Sequence, residues 1–65
     1  MSDQPAYLRV EEAAEYLGIG RTFAYRLANR GELPGTVRLG RLLRVHRATL
    51  DAEMARRAAG EDASP

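Results

Sequence analysis

The apolar positions of this chain repeat with two different periods. From Val10 they fall at Val10, Ala13, Ala14 and Leu17, the i, i+3, i+4, i+7 spacing of one helix face. Glu11 and Glu12 lie in the first turn of that helix, where carboxylates meet the positive end of the dipole. Gly18 predicts a left-handed cap at its end. A second helix is predicted to start after Gly20, with Ala24, Leu27 and Ala28 inward. Gly31 closes it, and Pro34 prevents its resumption nearby. The period then shortens. In TVRLGRLLRV, Thr36 to Val45, apolar and polar residues alternate as in a β-hairpin. A last helix is predicted from about His46 and Arg47, with Leu50 and Met54 on its buried side and Gly60 at its end.

The hairpin admits two registers. A two-residue Gly40-Arg41 turn pairs Leu39 with Leu42 and puts Arg44 on the same face as Val37. A three-residue loop, Gly40-Arg41-Leu42, pairs Leu39 with Leu43 and Val37 with Val45. Only the second keeps one face apolar, so it is the expected register. It places Arg38 and Arg44 together on the outer face, with Arg41 at the tip.

The break between the first two helices, Gly18-Ile19-Gly20, needs a reason, because glycine costs about 1 kcal/mol in a helix interior. Two short helices joined by a three- or four-residue turn with glycine form a helix-turn-helix. Ile19 is expected to plug the core between them. The crossing pushes the second helix outward with its N-terminus leading. Free backbone N–H groups and a partial positive charge sit at that end. The outward face holds Arg21, Thr22, Tyr25, Arg26 and Asn29, a dense row of hydrogen-bonding side chains. Arginine offers a planar fork for two acceptors on guanine, and a helix fits the DNA major groove. Tyr25 and Thr22 suit phosphate contacts. The hairpin that follows would be a wing, its tip Arg41 matched to the negative potential of a narrow minor groove.

Charge supports the same surface. The net charge of +1 hides a segregation. Residues 1–19 carry a net −3, residues 20–47 a net +6 and residues 48–65 a net −2. The central block holds seven arginines, at positions 21, 26, 30, 38, 41, 44 and 47, against Glu32 alone. Such asymmetry points to a polyanionic partner, the competing reading being a solvated arginine-rich surface. Arg30 and Arg47 are placed equally between phosphate contacts and local salt bridges.

The run YLRVEEAAEYLGIGRTFAYRLANRGELPGTVRLGRLLRV, Tyr7 to Val45, resembles the small winged-helix domains of the excisionase and MerR-like group. EEAAEYLG, RTFAYRL, GELP and VRLGR carry the resemblance together. It implies a mostly α winged helix-turn-helix: helix–turn–helix, a two-stranded hairpin wing and a C-terminal helix. It further implies that Arg21, Thr22, Tyr25 and Arg26 meet the major groove, with Arg38 and Arg41 on the wing; Arg44 joins them from the hairpin reading. Arg9 and Gly20 stand where the family commonly caps its helices with a hydroxyl, so weaker helix starts are expected. Phe23 replaces a small polar residue and is expected to be a partly buried filler.

Sixty-five residues make one domain at most. The expected division is a flexible arm at 1–6, the domain at 7–59 and a disordered tail at 60–65. With no cysteine, disulfides and thiolate metal sites are excluded. Ser2 and Ser64 lie in the expected tails, and His46 has no partner for a triad or a metal site, so no enzyme and no cofactor is expected. His46 is expected to cap a helix or lie on the surface, and Tyr7 and Tyr16 to pack. No membrane role is expected, and the predicted setting is the cytoplasm, at the nucleoid. One such unit reads about half a helical turn, too little for discrimination in a genome. Several copies on adjacent repeated sites are therefore expected on double-stranded DNA. The resemblance implies an excisionase, a recombination directionality factor that bends DNA and steers a tyrosine or serine integrase towards excision. A small transcriptional regulator is the alternative, and a winged-helix protein-interaction module a further one.

Overall fold

A computed structural model describes residues 6–62, with side chains described as far as Gly60. The order is β1 (Tyr7–Leu8), α1 (Val10–Leu17), α2 (Arg21–Asn29), β2 (Thr36–Leu39), β3 (Leu42–His46) and α3 (Arg47–Asp62). This is a winged helix-turn-helix with one strand more than the sequence suggested. β1 joins the hairpin in an antiparallel sheet of order β1-β3-β2, so β3 is the central strand. Tyr7 stands opposite His46 and Leu8 opposite Val45.

Small side chains set the helix pair. Ala13 and Ala14 of α1 and Ala24 and Ala28 of α2 are all buried. Alanines at a helix contact let the two backbones approach closely. Val10, Leu8, Val45, Leu33 and Leu50 complete the core, with Leu17, Ile19, Leu27, Leu43 and Met54 packed around it. Ile19 thus borders the core from the turn, and Leu50 pins α3 to the sheet. The start of α1 lacks a hydroxyl cap, as expected from Arg9. Glu12 compensates by accepting the Arg9 backbone N–H at 2.8 Å, the half of a capping box that a carboxylate supplies. Gly18 ends α1 in the left-handed conformation, and the backbone N–H of Ile19 reaches the Ala14 carbonyl at 2.9 Å. At α2 no side chain caps Gly20.

The expected hairpin register is overturned. Leu39 pairs with Leu42, Arg38 with Leu43, Val37 with Arg44 and Thr36 with Val45. The turn is therefore the two-residue Gly40-Arg41. Gly40 has φ +60°, and among the described residues only glycines have positive φ. A positive φ at the first central residue only is the type II′ pattern, whose twist matches that of the strands. Directly opposed side chains share a face. Arg38 therefore lies on the face of Leu43 and Val45, and Arg44 on the opposite face with Val37, Leu39 and Leu42. Arg38 and Arg44 do not share the outer face. The apolar-face argument failed because only the base of the hairpin reaches the core. Val45 is buried and Leu43 half-buried, whereas Leu39 and Leu42 project beyond the body.

α3 also differs from expectation, running through Gly60 to Asp62. Its described residues from Ala55 onward are exposed. Exposed arginines and alanines favour helix without needing a core. Residues 1–5 of the expected arm at 1–6, and residues 63–65 of the expected tail at 60–65, lie outside the described residues.

Candidate nucleic-acid interface

The orientation of α2 follows from its two buried alanines. At 100° per residue, Ala24 and Ala28 inward put Thr22, Arg26 and Asn29 outward. Tyr25 flanks that row on one side, and Phe23 and Arg30 flank it on the other. Arg21, the first residue of α2, falls on the stripe of Ala24 and Ala28 but is exposed at the start of the helix, as are the other six.

Arg26, Arg38 and Arg41 make no ion pair and no side-chain hydrogen bond among the described residues. Their guanidinium groups are open to an external acceptor. Arg44 is half-buried; its Nη1 donates to the Leu43 carbonyl at 2.9 Å, which steadies the side chain on its face of the ribbon. Its charge still acts on the Tyr25 hydroxyl, as does that of Arg21. Arg21, Tyr25 and Arg44 thus form one neighbourhood linking the N-terminal half of α2 to the hairpin. Arg41 stands at the tip. Arg38 is separate, on the other face of the ribbon, beside Asn29, Arg30 and Leu43.

An acidic residue from α1, not expected from its helix's own period, also enters this neighbourhood. Glu11 of α1 meets Tyr25. Its carboxyl is held below the ordinary range first by its own backbone N–H and then by hydrogen bonding with the Tyr25 hydroxyl, with smaller help from Arg9 and Arg21. The same interaction raises the Tyr25 phenol above its usual value, ahead of a contribution from desolvation. Glu11 sits in the first turn of α1, and only the crossing of the two helices brings that turn to the side of α2.

Other arginines already have intramolecular partners. Arg47 Nε lies 3.8 Å from Asp51 Oδ2, and its guanidinium covers the Tyr16 ring at 5.2 Å. Tyr16 in turn donates to Asp51 Oδ1 at 2.6 Å. Arg30 reaches Glu32 only at 4.0 Å. Arg56 and Arg57 both pair with Glu53, holding its carboxyl down to about 2, Arg56 contributing most. His46 precedes α3, with Nδ1 hydrogen-bonded to the Thr49 hydroxyl at 2.7 Å and its ring 5.0 Å from that of Tyr7. Tyr7 and Tyr16 pack on the surface rather than in the core, each about half exposed.

Phe23 does not join Tyr25. It is 46% exposed and lines an open groove of about 790 Å³ with Leu17, Ile19, Leu27, Leu33 and Met54. Among the described residues no group of acidic or histidine side chains could hold a metal ion. No described helix is long and apolar enough to cross a membrane.

Comparison with known proteins agrees with this geometry. The chain is 47% identical over 57 residues to a "Probable excisionase" of Saccharopolyspora erythraea, which covers 88% of this chain and 57% of that protein. The chain therefore spans little more than half the length of this relative. No solved structure matches it at a significant level. The family model described as "Helix-turn-helix domain" matches residues 7–58. That span runs from the first residue of β1 into α3 and takes in both crossed helices and the wing, so the chain belongs to this helix-turn-helix family.

Proposed function

We propose that this protein binds double-stranded DNA as an excisionase. In this reading α2 enters the major groove, presenting Arg21, Thr22, Tyr25 and Arg26. The wing addresses the adjacent minor groove with Arg41 at its tip, while Arg38 and Arg44 face opposite walls of that groove. The observation that carries the proposal is the set of open guanidinium groups on α2 and the wing. Arg26, Arg38 and Arg41 are exposed and have no acceptor among the described residues. The opposite-face placement of Arg38 and Arg44 favours a ribbon that enters a groove edge-on, because each arginine then has its own phosphate strand to meet.

Membership of the helix-turn-helix family and the named relative support the excisionase reading over a catalytic one. A single small reader holds few phosphates and few base pairs, so occupancy comes from copies on adjacent repeated sites. Bound side by side, such copies bend the DNA and direct an integrase, of the tyrosine or serine class, towards excision in the cytoplasm at the nucleoid. Footprinting on DNA from around the gene tests this. The expected result is a row of neighbouring protections at regular spacing. Affinity should fall with salt at a log–log slope of about −0.9 per phosphate neutralised. Binding that ignores salt, or no protection on any fragment, refutes the proposal.

A further inference from the structure

The wing tip carries an apolar pair that the fold does not use. Leu39 and Leu42 are cross-strand partners on either side of the Gly40-Arg41 turn. They are 59% and 54% exposed, more than any other large hydrophobic residue among those described. Their face of the ribbon is that of Val37 and Arg44, away from Val45 and the core. Residues 36–46 contain Arg38, Arg41 and Arg44 and no acidic residue. This charge is complementary to a polyanion.

We propose that Leu39 and Leu42 form an apolar clasp that lies against the deoxyribose wall of the DNA minor groove as Arg41 enters it. This rests on the DNA-binding reading above. The groove wall is made of sugar C–H surface, with phosphates only at its rim. Arginines satisfy the rim and the acceptors on the groove floor, and the leucines cover the apolar strip between them. Two side chains abreast across a ribbon make a broad patch, suited to a wall rather than to the gap between stacked bases. The clasp therefore reads groove width. It also disfavours A-form RNA, whose minor groove is wide, shallow and lined with 2′-hydroxyls.

The test compares the full chain with Leu39→Thr/Leu42→Thr, which puts strand-compatible, more polar residues at the tip. Neither leucine is in the core, so the circular dichroism spectrum and melting curve should be unchanged. Affinity for a footprinted duplex should fall about five- to tenfold, from lost apolar burial. The salt slope should stay the same, because no charge is removed. Arg41→Ala, run beside it, should instead flatten the slope by about 0.9. If the unaltered chain fails to bind any duplex, the DNA-binding reading falls and the clasp with it. If it binds and the leucine variant binds equally well, only the clasp is overturned. A loss of affinity with a flatter slope also overturns it, because the leucines would then merely position phosphate contacts. So does a 2-aminopurine signal of base unstacking that the variant abolishes, which would mean insertion between bases. Self-association of the free chain that the variant abolishes would assign the pair to a protein contact instead.

Discussion

Two arginines of the same basic block should respond oppositely to truncation. Arg26 is exposed on the outer row of α2 and has no partner within the described residues. Arg26→Ala removes nothing the fold uses, and alanine is the better helix former by a few tenths of a kcal/mol. Its melting temperature should therefore be unchanged or slightly raised. On a cognate duplex the loss should be about 1–3 kcal/mol, or roughly 5- to 150-fold in affinity. Arg47 is the control. Its guanidinium sits 3.8 Å from Asp51 and 5.2 Å from the Tyr16 ring centroid, so it is already occupied. A partly exposed ion pair of this length and a surface cation–π contact together contribute about 0.5–1 kcal/mol. Arg47→Ala should therefore lower the melting temperature by about 2–8 °C in so small a domain, and change DNA affinity less than twofold. Thermal melts and fluorescence-anisotropy titrations on one duplex measure both quantities. Equal DNA losses for the two variants would refute the argument that intramolecular pairing sorts the arginines. So would a large melting shift for Arg26→Ala.

Glu11→Gln should raise DNA affinity about two- to threefold at low salt, by removing a negative charge from beside Arg21 and Tyr25; an unchanged or weaker titration would place Glu11 away from the phosphates. Gly35→Ala should destabilise the chain by about 1–3 kcal/mol, because Gly35 has φ +84° and an added Cβ would meet the His46 carbonyl at 2.6 Å; a neutral denaturation midpoint would contradict that close approach. Glu53, held down to about 2 by Arg56 and Arg57 from an ordinary 4.5, has a depressed folded-state value. Its pairing therefore supports the end of α3 at all pH above about 4.5, and that support is lost as pH falls towards 2. A carboxyl NMR titration should show Glu53 still ionised well below pH 4.5; a midpoint at the ordinary 4.5 would mean that the pairs do not persist in solution.

Local chemistry was enough to establish much of this protein. The spacing of Val10, Ala13, Ala14 and Leu17, then of Ala24 and Ala28, determines both helices, because each period names a face that must be buried. Gly18 and Gly31 mark the two helix ends, and the outward row of Thr22, Arg26 and Asn29 follows from the same period; Arg21 is exposed because it begins the helix. Tertiary structure decided the rest. β1 has two residues, too few to show any period, and it exists because Leu8 pairs against Val45. The hairpin register went to the turn and not to the apolar alternation, because Leu39 and Leu42 lie where there is no core to reward burial. That one-residue difference moved Arg38 and Arg44 to opposite faces. Glu11 came near Tyr25 only because the helices cross there, and Arg47 turned to Asp51 and Tyr16 because the start of α3 comes within reach of Tyr16 on α1. Sequence periodicity reports which side of an element faces inward. Which residues of different elements meet on the outside depends on crossing and register, and those are settled only when the elements pack.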